Sequence, residues 1–133
     1  MNMQKIAMAL FLLVLAFSVQ AQDSSELAVA EMVFCTGMEE RVPTNADTSF
    51  TNDVERVYCF TQITGAPDTT SVTHIWYHND EEKARVKLKV GAKAWRTWSS
   101  KAIWKNWVGK WHVSVVAANG KVLETKSFAI KAK

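Results

Sequence analysis

Three histidines, a few serines and a dense run of indoles are the residues with chemistry to offer. His74 and His78 sit four apart in the stretch VTHIWYH, Val72–His78. On an extended chain they share a face but lie about 13 Å apart at about 3.3 Å per residue. Zinc holds its ligand nitrogens about 2.0–2.1 Å from one ion, and His112 can approach only one of the pair. No metal site is expected; one histidine belongs to a core or cross-strand position and another to a hairpin end. A Ser/His/Asp set is available in name from Ser99 or Ser100, His74 and Asp80. Nothing orients it: there is no nucleophile elbow and no Gly-rich oxyanion loop. Asp80-Glu81-Glu82 has the look of a turn, not of the paired carboxylates that cleave glycosides. Phosphate-cradling and dinucleotide motifs are absent too, so neither a cofactor nor catalysis is expected.

What remains is the segment WRTWSSKAIWKNWVGKWHVSVVA, Trp95–Ala117, which holds five of the six Trp in the chain. Read as an extended strand, Trp95, Thr97, Ser99 and Lys101 share one face, and Arg96, Trp98 and Ser100 share the other. The Trp95 face is expected to be core, as are Trp76 and Trp111. Arg96, Trp98, Lys101, Trp104 and Trp107 then make a candidate aromatic–cationic surface. Such surfaces stack on flat partners and pair with anions. The bland alternative is that these indoles pack over the open end of the fold with Arg and Lys stems laid across them. The functional expectation is a non-catalytic binding or accessory module recognising an anionic envelope glycan through Arg96–Lys110. A structural or assembly module that docks on an envelope protein is the alternative. Nucleic acid is not expected.

The elements that must position these residues read as strands. Val54–Thr64 is apolar on both faces, which suits a central strand. Val72–His78 follows after the turn Gly65–Asp68, and Asn79–Glu82 connects it to Ala84–Val90. There Ala84, Val86, Leu88 and Val90 alternate with Arg85, Lys87 and Lys89. Leu27–Phe34 is read as a first strand, Arg41–Asp53 as a loop with Phe50 tucked inward, and Trp95–Ser99 as a short strand. Trp104, Trp107 and Trp111 recur at helical spacing, but Gly109 interrupts it, so a single turn is expected. Trp111–Ala117 and Val122–Ile130 form the last hairpin across Asn119-Gly120, a strong turn signal. Seven short strands with frequent turns predict an all-β fold: a small antiparallel β-sandwich, immunoglobulin-like, with a partly open barrel as runner-up.

Residues 1–21 read as an export signal. Lys5 supplies the positive start, Ile6–Val19 is apolar apart from Ser18, and Val19-Gln20-Ala21 presents small residues at a cleavage site. The apolar run is short of the roughly 20 residues a membrane span needs. A periplasmic or secreted domain over 22–133 is expected, with no membrane span once the signal is removed. Cys35 and Cys59 then predict one disulfide. Charge is divided: Gln22–Glu82 carries twelve acidic residues against Arg41 and Arg56, and Lys83–Lys133 carries thirteen basic residues against Glu124. Cross-strand pairing of the two halves is the simpler account, and one basic face is the functional one.

Taken together, Cys35, Cys59-Phe60, His74–His78, WRTWSSK at Trp95–Lys101 and GKWHVSV…NGKVL…F at Gly109–Phe128 resemble the bacterial family DUF2914 over about residues 32–131. That resemblance implies a β-rich extracytoplasmic domain without an established activity. It marks His74, Trp76, Trp95, Arg96, Ser99, Lys101, Gly109, Trp111 and Gly120 as characteristic residues without giving them roles. Ala102–Val108 is richer in Trp than the usual family segment, which makes Trp104 and Trp107 a local feature of this chain.

Overall fold

Alternating apolar residues in short runs, broken by turn-formers, produce strands and nothing else: a computed structural model, which describes residues 27–133, contains no helix among them. The expected export signal lies outside the described residues. The strands are β1 (Ala28–Cys35), β2 (Gly37–Glu39), β3 (Val42–Thr44), β4 (Ser49–Thr51), β5 (Arg56–Thr64), β6 (Thr70–His78), β7 (Glu81–Val90), β8 (Ala94–Ala102), β9 (Gly109–Ala117) and β10 (Val122–Lys131). One sheet has the order β1-β5-β8, a second β4-β10-β9-β6-β7, and β2-β3 is a separate hairpin. Among the seven long strands the first, second and fifth share one sheet, and the third, sixth and seventh share the other with the fourth at its edge. That division is of the immunoglobulin type. The expected sandwich is therefore present.

Arg41–Asp53 differs from the expected loop. It contains β3 and β4, and β4 adds to β10 in parallel, pairing Phe50 with Ile130. Three-residue strands are too short for period-2 alternation to register in sequence. Phe50 is tucked inward as expected, edge-on to Phe128. β8 also runs longer than Trp95–Ser99, because all of it, from Ala94 to Ala102, pairs with β5.

The core lies between the sheets. Phe34, Val57, Cys59 and Ile63 face Val72, Trp76, Val90, Trp111, Val113, Val115 and Phe128. Trp76 and Trp111 are fully buried, and Trp95 packs half-buried against the same cluster. Each buried indole removes about 150–250 Å² from water, worth about 4–6 kcal/mol by area.

The expected disulfide is not formed: Cys35 and Cys59 are free, buried thiols. The register gives the reason. Phe34, not Cys35, stands opposite Cys59, and Cys35 stands opposite Tyr58. Successive side chains on a strand point to opposite faces, so Cys59 enters the core beside Phe34 while Cys35 lies on the outer face. There the Cys35 thiol donates to the Gly37 carbonyl at 3.2 Å. Burial raises the pKa of both thiols.

Candidate functional site

His74 and Ser99 do meet, but inside the sandwich. Ser99 Oγ lies 2.6 Å from His74 Nδ1 and 3.1 Å from Trp76 Nε1. His74 Nε2 lies 3.2 Å from Thr61 Oγ1, and the Thr61 hydroxyl donates to the Thr97 carbonyl at 2.9 Å. These bonds fix the protons. The Thr61 hydrogen is spent on a carbonyl, so Thr61 Oγ1 accepts from His74 Nε2–H. Nδ1 is then a bare acceptor and takes the Ser99 hydrogen, while Ser99 Oγ accepts the indole N–H of Trp76. One directed chain runs from Trp76 through Ser99, His74 and Thr61 to Thr97, stitching β6 to β5 and β8. His74 is 0 % and Ser99 6 % exposed. Burial holds the imidazole pKa down at about 4. Asp80 is elsewhere, on the surface beside His112 at 3.8 Å. The arrangement satisfies buried polar groups; it offers no nucleophile to a substrate. His78, at the end of β6, stacks on Trp111 and donates through Nε2 to the Val108 carbonyl at 2.8 Å. Among the described residues no three His, Cys, Asp or Glu are grouped to hold a metal ion.

The five candidate binding residues divide into two groups. Lys101, Trp104 and Trp107 gather at one end of the sandwich, where β8 gives way to the 103–108 connection. Trp104 is 62 % exposed. Its ring stacks on that of Trp107 with centroids 4.6 Å apart and planes 12° from parallel. The Lys101 and Lys83 ammoniums lie 4.9 and 5.2 Å from the Trp107 centroid. Burial, then the neighbouring charges of Arg56 and Lys83, lower the Lys101 pKa.

Local structure makes this connection stiff. Ile103 plugs into the core, and its N–H donates to the Glu55 carbonyl at 2.8 Å. Trp107 N–H closes the single expected turn on the Trp104 carbonyl at 2.9 Å. The Asn52 amide donates to the Lys105 carbonyl, and Trp111 Nε1 to the Trp107 carbonyl. Gly109 ends the segment at φ +123°, where a Cβ would meet Asn79 Oδ1 at 2.9 Å.

Sequence reading missed Lys83. It is the extra residue of a β-bulge, since Trp76 pairs with Ala84 and Tyr77 with Glu82. A bulge re-aims its side chain, here over Trp107. The clue in sequence is a cation directly after a hairpin acid run, which is too common to single out.

Arg96 and Trp98 belong to the second group, about 16 and about 10 Å from Lys101 along β8 at about 3.3 Å per residue. They lie on the outer face, where Trp98 stacks over Phe60 at 6.4 Å. Arg41, from the β2–β3 turn, lies over the Trp98 ring at 5.6 Å. Arg41, also missed, comes from a segment read as loop.

No helix of the described residues is long and apolar enough to cross a membrane. No curated protein matches the chain. A family model described as "Protein of unknown function (DUF2914)" matches residues 69–130, from the start of β6 almost to the end of β10. That segment carries His74, Ser99, both indole groups and Gly109, and over it the chain is similar to the DUF2914 family.

Proposed function

We propose that this chain is an exported, non-catalytic binding module that takes an anionic envelope glycan on the platform of Trp104, Trp107, Lys83 and Lys101. The supporting observation is the pairing of a largely exposed indole with two ammoniums over one stiff connection. A ring left in water beside cations gains by stacking on a flat sugar face, and its neighbours gain by meeting a carboxylate. Lys101 enters none of the four ion pairs among the described residues. Its pKa is depressed by burial first and then by the like charges of Arg56 and Lys83, and a bound anion offsets both. Five anchoring hydrogen bonds to residues 103–108 mean that little ordering entropy is lost on binding.

The test is tryptophan fluorescence during titration with a polyuronate and with a neutral polysaccharide of similar length. The polyuronate is expected to give a saturable change that Trp104→Ala weakens about tenfold, as loss of one stacking contact of about 1–3 kcal/mol requires. The urea midpoint of that variant is expected to stay within experimental error of the parent. Equal binding by Trp104→Ala would overturn the platform, and silence toward every glycan with an envelope protein recovered by crosslinking through the same residues would transfer the reading to a docking module.

A further inference from the structure

At the far end of β8 two arginine side chains cross, each reaching the other's main chain. Arg41 Nη2 donates to the Arg96 carbonyl at 3.4 Å, and Arg96 Nη1 donates to the Arg41 carbonyl at 3.4 Å. Each is thereby clasped to the other's backbone. With Lys89, Trp95, Thr97 and Trp98 they line a hollow of about 270 Å³ that has three cations and no acid in its wall. None of the four ion pairs among the described residues uses Arg41, Lys89 or Arg96. Glu39 and Glu40, the nearest acids in sequence, line a different hollow with Val42 and Thr44.

The arrangement is costly as it stands. Like charges are brought together, and the turn that delivers Arg41 sets Glu40 at φ 50° and Arg41 at φ 66°. Both are left-handed positions that Asn-Gly would occupy at less strain. A guanidinium carries five N–H donors in a fixed fork, and each clasp uses one, leaving most of both forks free. Trp95 and Trp98 complete its wall on the β8 side.

We propose that the Arg41–Arg96 clasp, with Lys89, is a binding site for a phosphate group, either as the free dianion or as a phosphomonoester carried on a larger molecule. Two forks and an ammonium converging on one hollow match the several oxygens and double charge of that group better than they match a single carboxylate. The site is independent of the Trp104 platform and stands whether or not that platform binds a glycan.

The experiment follows the Trp98 indole and arginine side-chain resonances by NMR in the full chain. Inorganic phosphate and glycerol phosphate are each titrated against sodium chloride at matched ionic strength. A saturable shift centred on Trp98 is expected with phosphate and not with chloride. Arg41→Gln and Arg96→Gln are each expected to weaken it about tenfold, the loss of one charge-assisted bidentate contact, and Trp104→Ala to leave it unchanged. Arg41→Lys, which keeps the charge and loses the fork, is expected to weaken it as well. A shift from inorganic phosphate alone identifies the free ion as ligand, and an equal or stronger one from glycerol phosphate identifies a carried monoester. Thermal midpoints give a second reading: at equal concentration phosphate raises that of the parent chain more than that of either glutamine variant. Shifts that match chloride, or that survive both glutamine substitutions, overturn the proposal.

Discussion

His74 is held neutral by position, because both of its nitrogens are committed in one direction along the chain from Trp76 to Thr97. Adding a proton to Nδ1 would turn the Ser99 hydroxyl away from its acceptor with nowhere to donate. The unfolded histidine titrates at about 6.5 and the folded one at about 4. Between those values the unfolded chain binds the extra proton, so stability falls as pH falls through the window. At about 1.36 kcal/mol per unit, the loss by pH 4 is about 3 kcal/mol. Urea unfolding at pH 7 and pH 4.5 measures it, and a His74→Leu chain is expected to lose less over the same interval. If NMR finds the His74 ring protonated at pH 5.5 in the folded chain, the directed hydrogen-bond chain is wrong. This part of the molecule was half legible in sequence. The alternation of Val72–His78 placed His74 and Trp76 on one face, but the partnership with Ser99 depends on how two sheets are stacked. No periodicity within a strand reports that.

β8 is the element on which most of the candidate chemistry converges. Its inward face sends Ser99 into the core network, its outward face carries Arg96 and Trp98, and its end delivers Lys101 to Trp107. The two-face reading of Trp95–Lys101 was correct because pairing with β5 keeps the pleat regular from Ala94 to Ala102. The patch inferred from it nevertheless separated into two, since Arg96 and Trp98 leave on the outer face near the start of β8 while Lys101 leaves on the other face at the end that meets Trp107. The cysteines show the same limit from the other side: their spacing suggested a bridge, and a one-residue offset between β1 and β5 removed it. Gly109 is where the following element depends on one backbone angle. Gly109→Ala must adopt φ near +123° against the Asn79 amide, at a cost of about 1–3 kcal/mol. The expected result is a lower urea midpoint and altered Trp107 indole resonances. An unchanged midpoint would show that Asn79 yields freely.

Across the whole molecule, the acidic first half and basic second half meet in few ion pairs. Three of the four among the described residues join one hairpin, Asp80–Glu82, to Lys83, Arg85 and His112, and the fourth joins Lys133 to Asp53. Cross-strand neutralisation therefore leaves most of the lysines of β7 to β10 without a contacting acid, and the basic half faces water as a field source. Binding of an acidic polysaccharide is expected to weaken about tenfold between about 0.05 and 0.5 M salt, as the screening length shrinks from over 10 Å to under 5 Å. Salt-independent affinity would assign the recognition to the indoles alone.

Two indole rings stacked in parallel at 4.6 Å act as one chromophore as well as one surface. Their transitions couple, so the Trp104–Trp107 pair is expected to impose an exciton couplet on the far-ultraviolet dichroism of a protein that is otherwise all strand. Replacing Trp104 will erase that couplet and mimic a change of secondary structure in a chain whose sheets are untouched. The same coupling makes the pair a label already in place: a flat ligand sliding onto the exposed ring alters the couplet without any dye, while an ion bound at the distant arginines leaves it as it was.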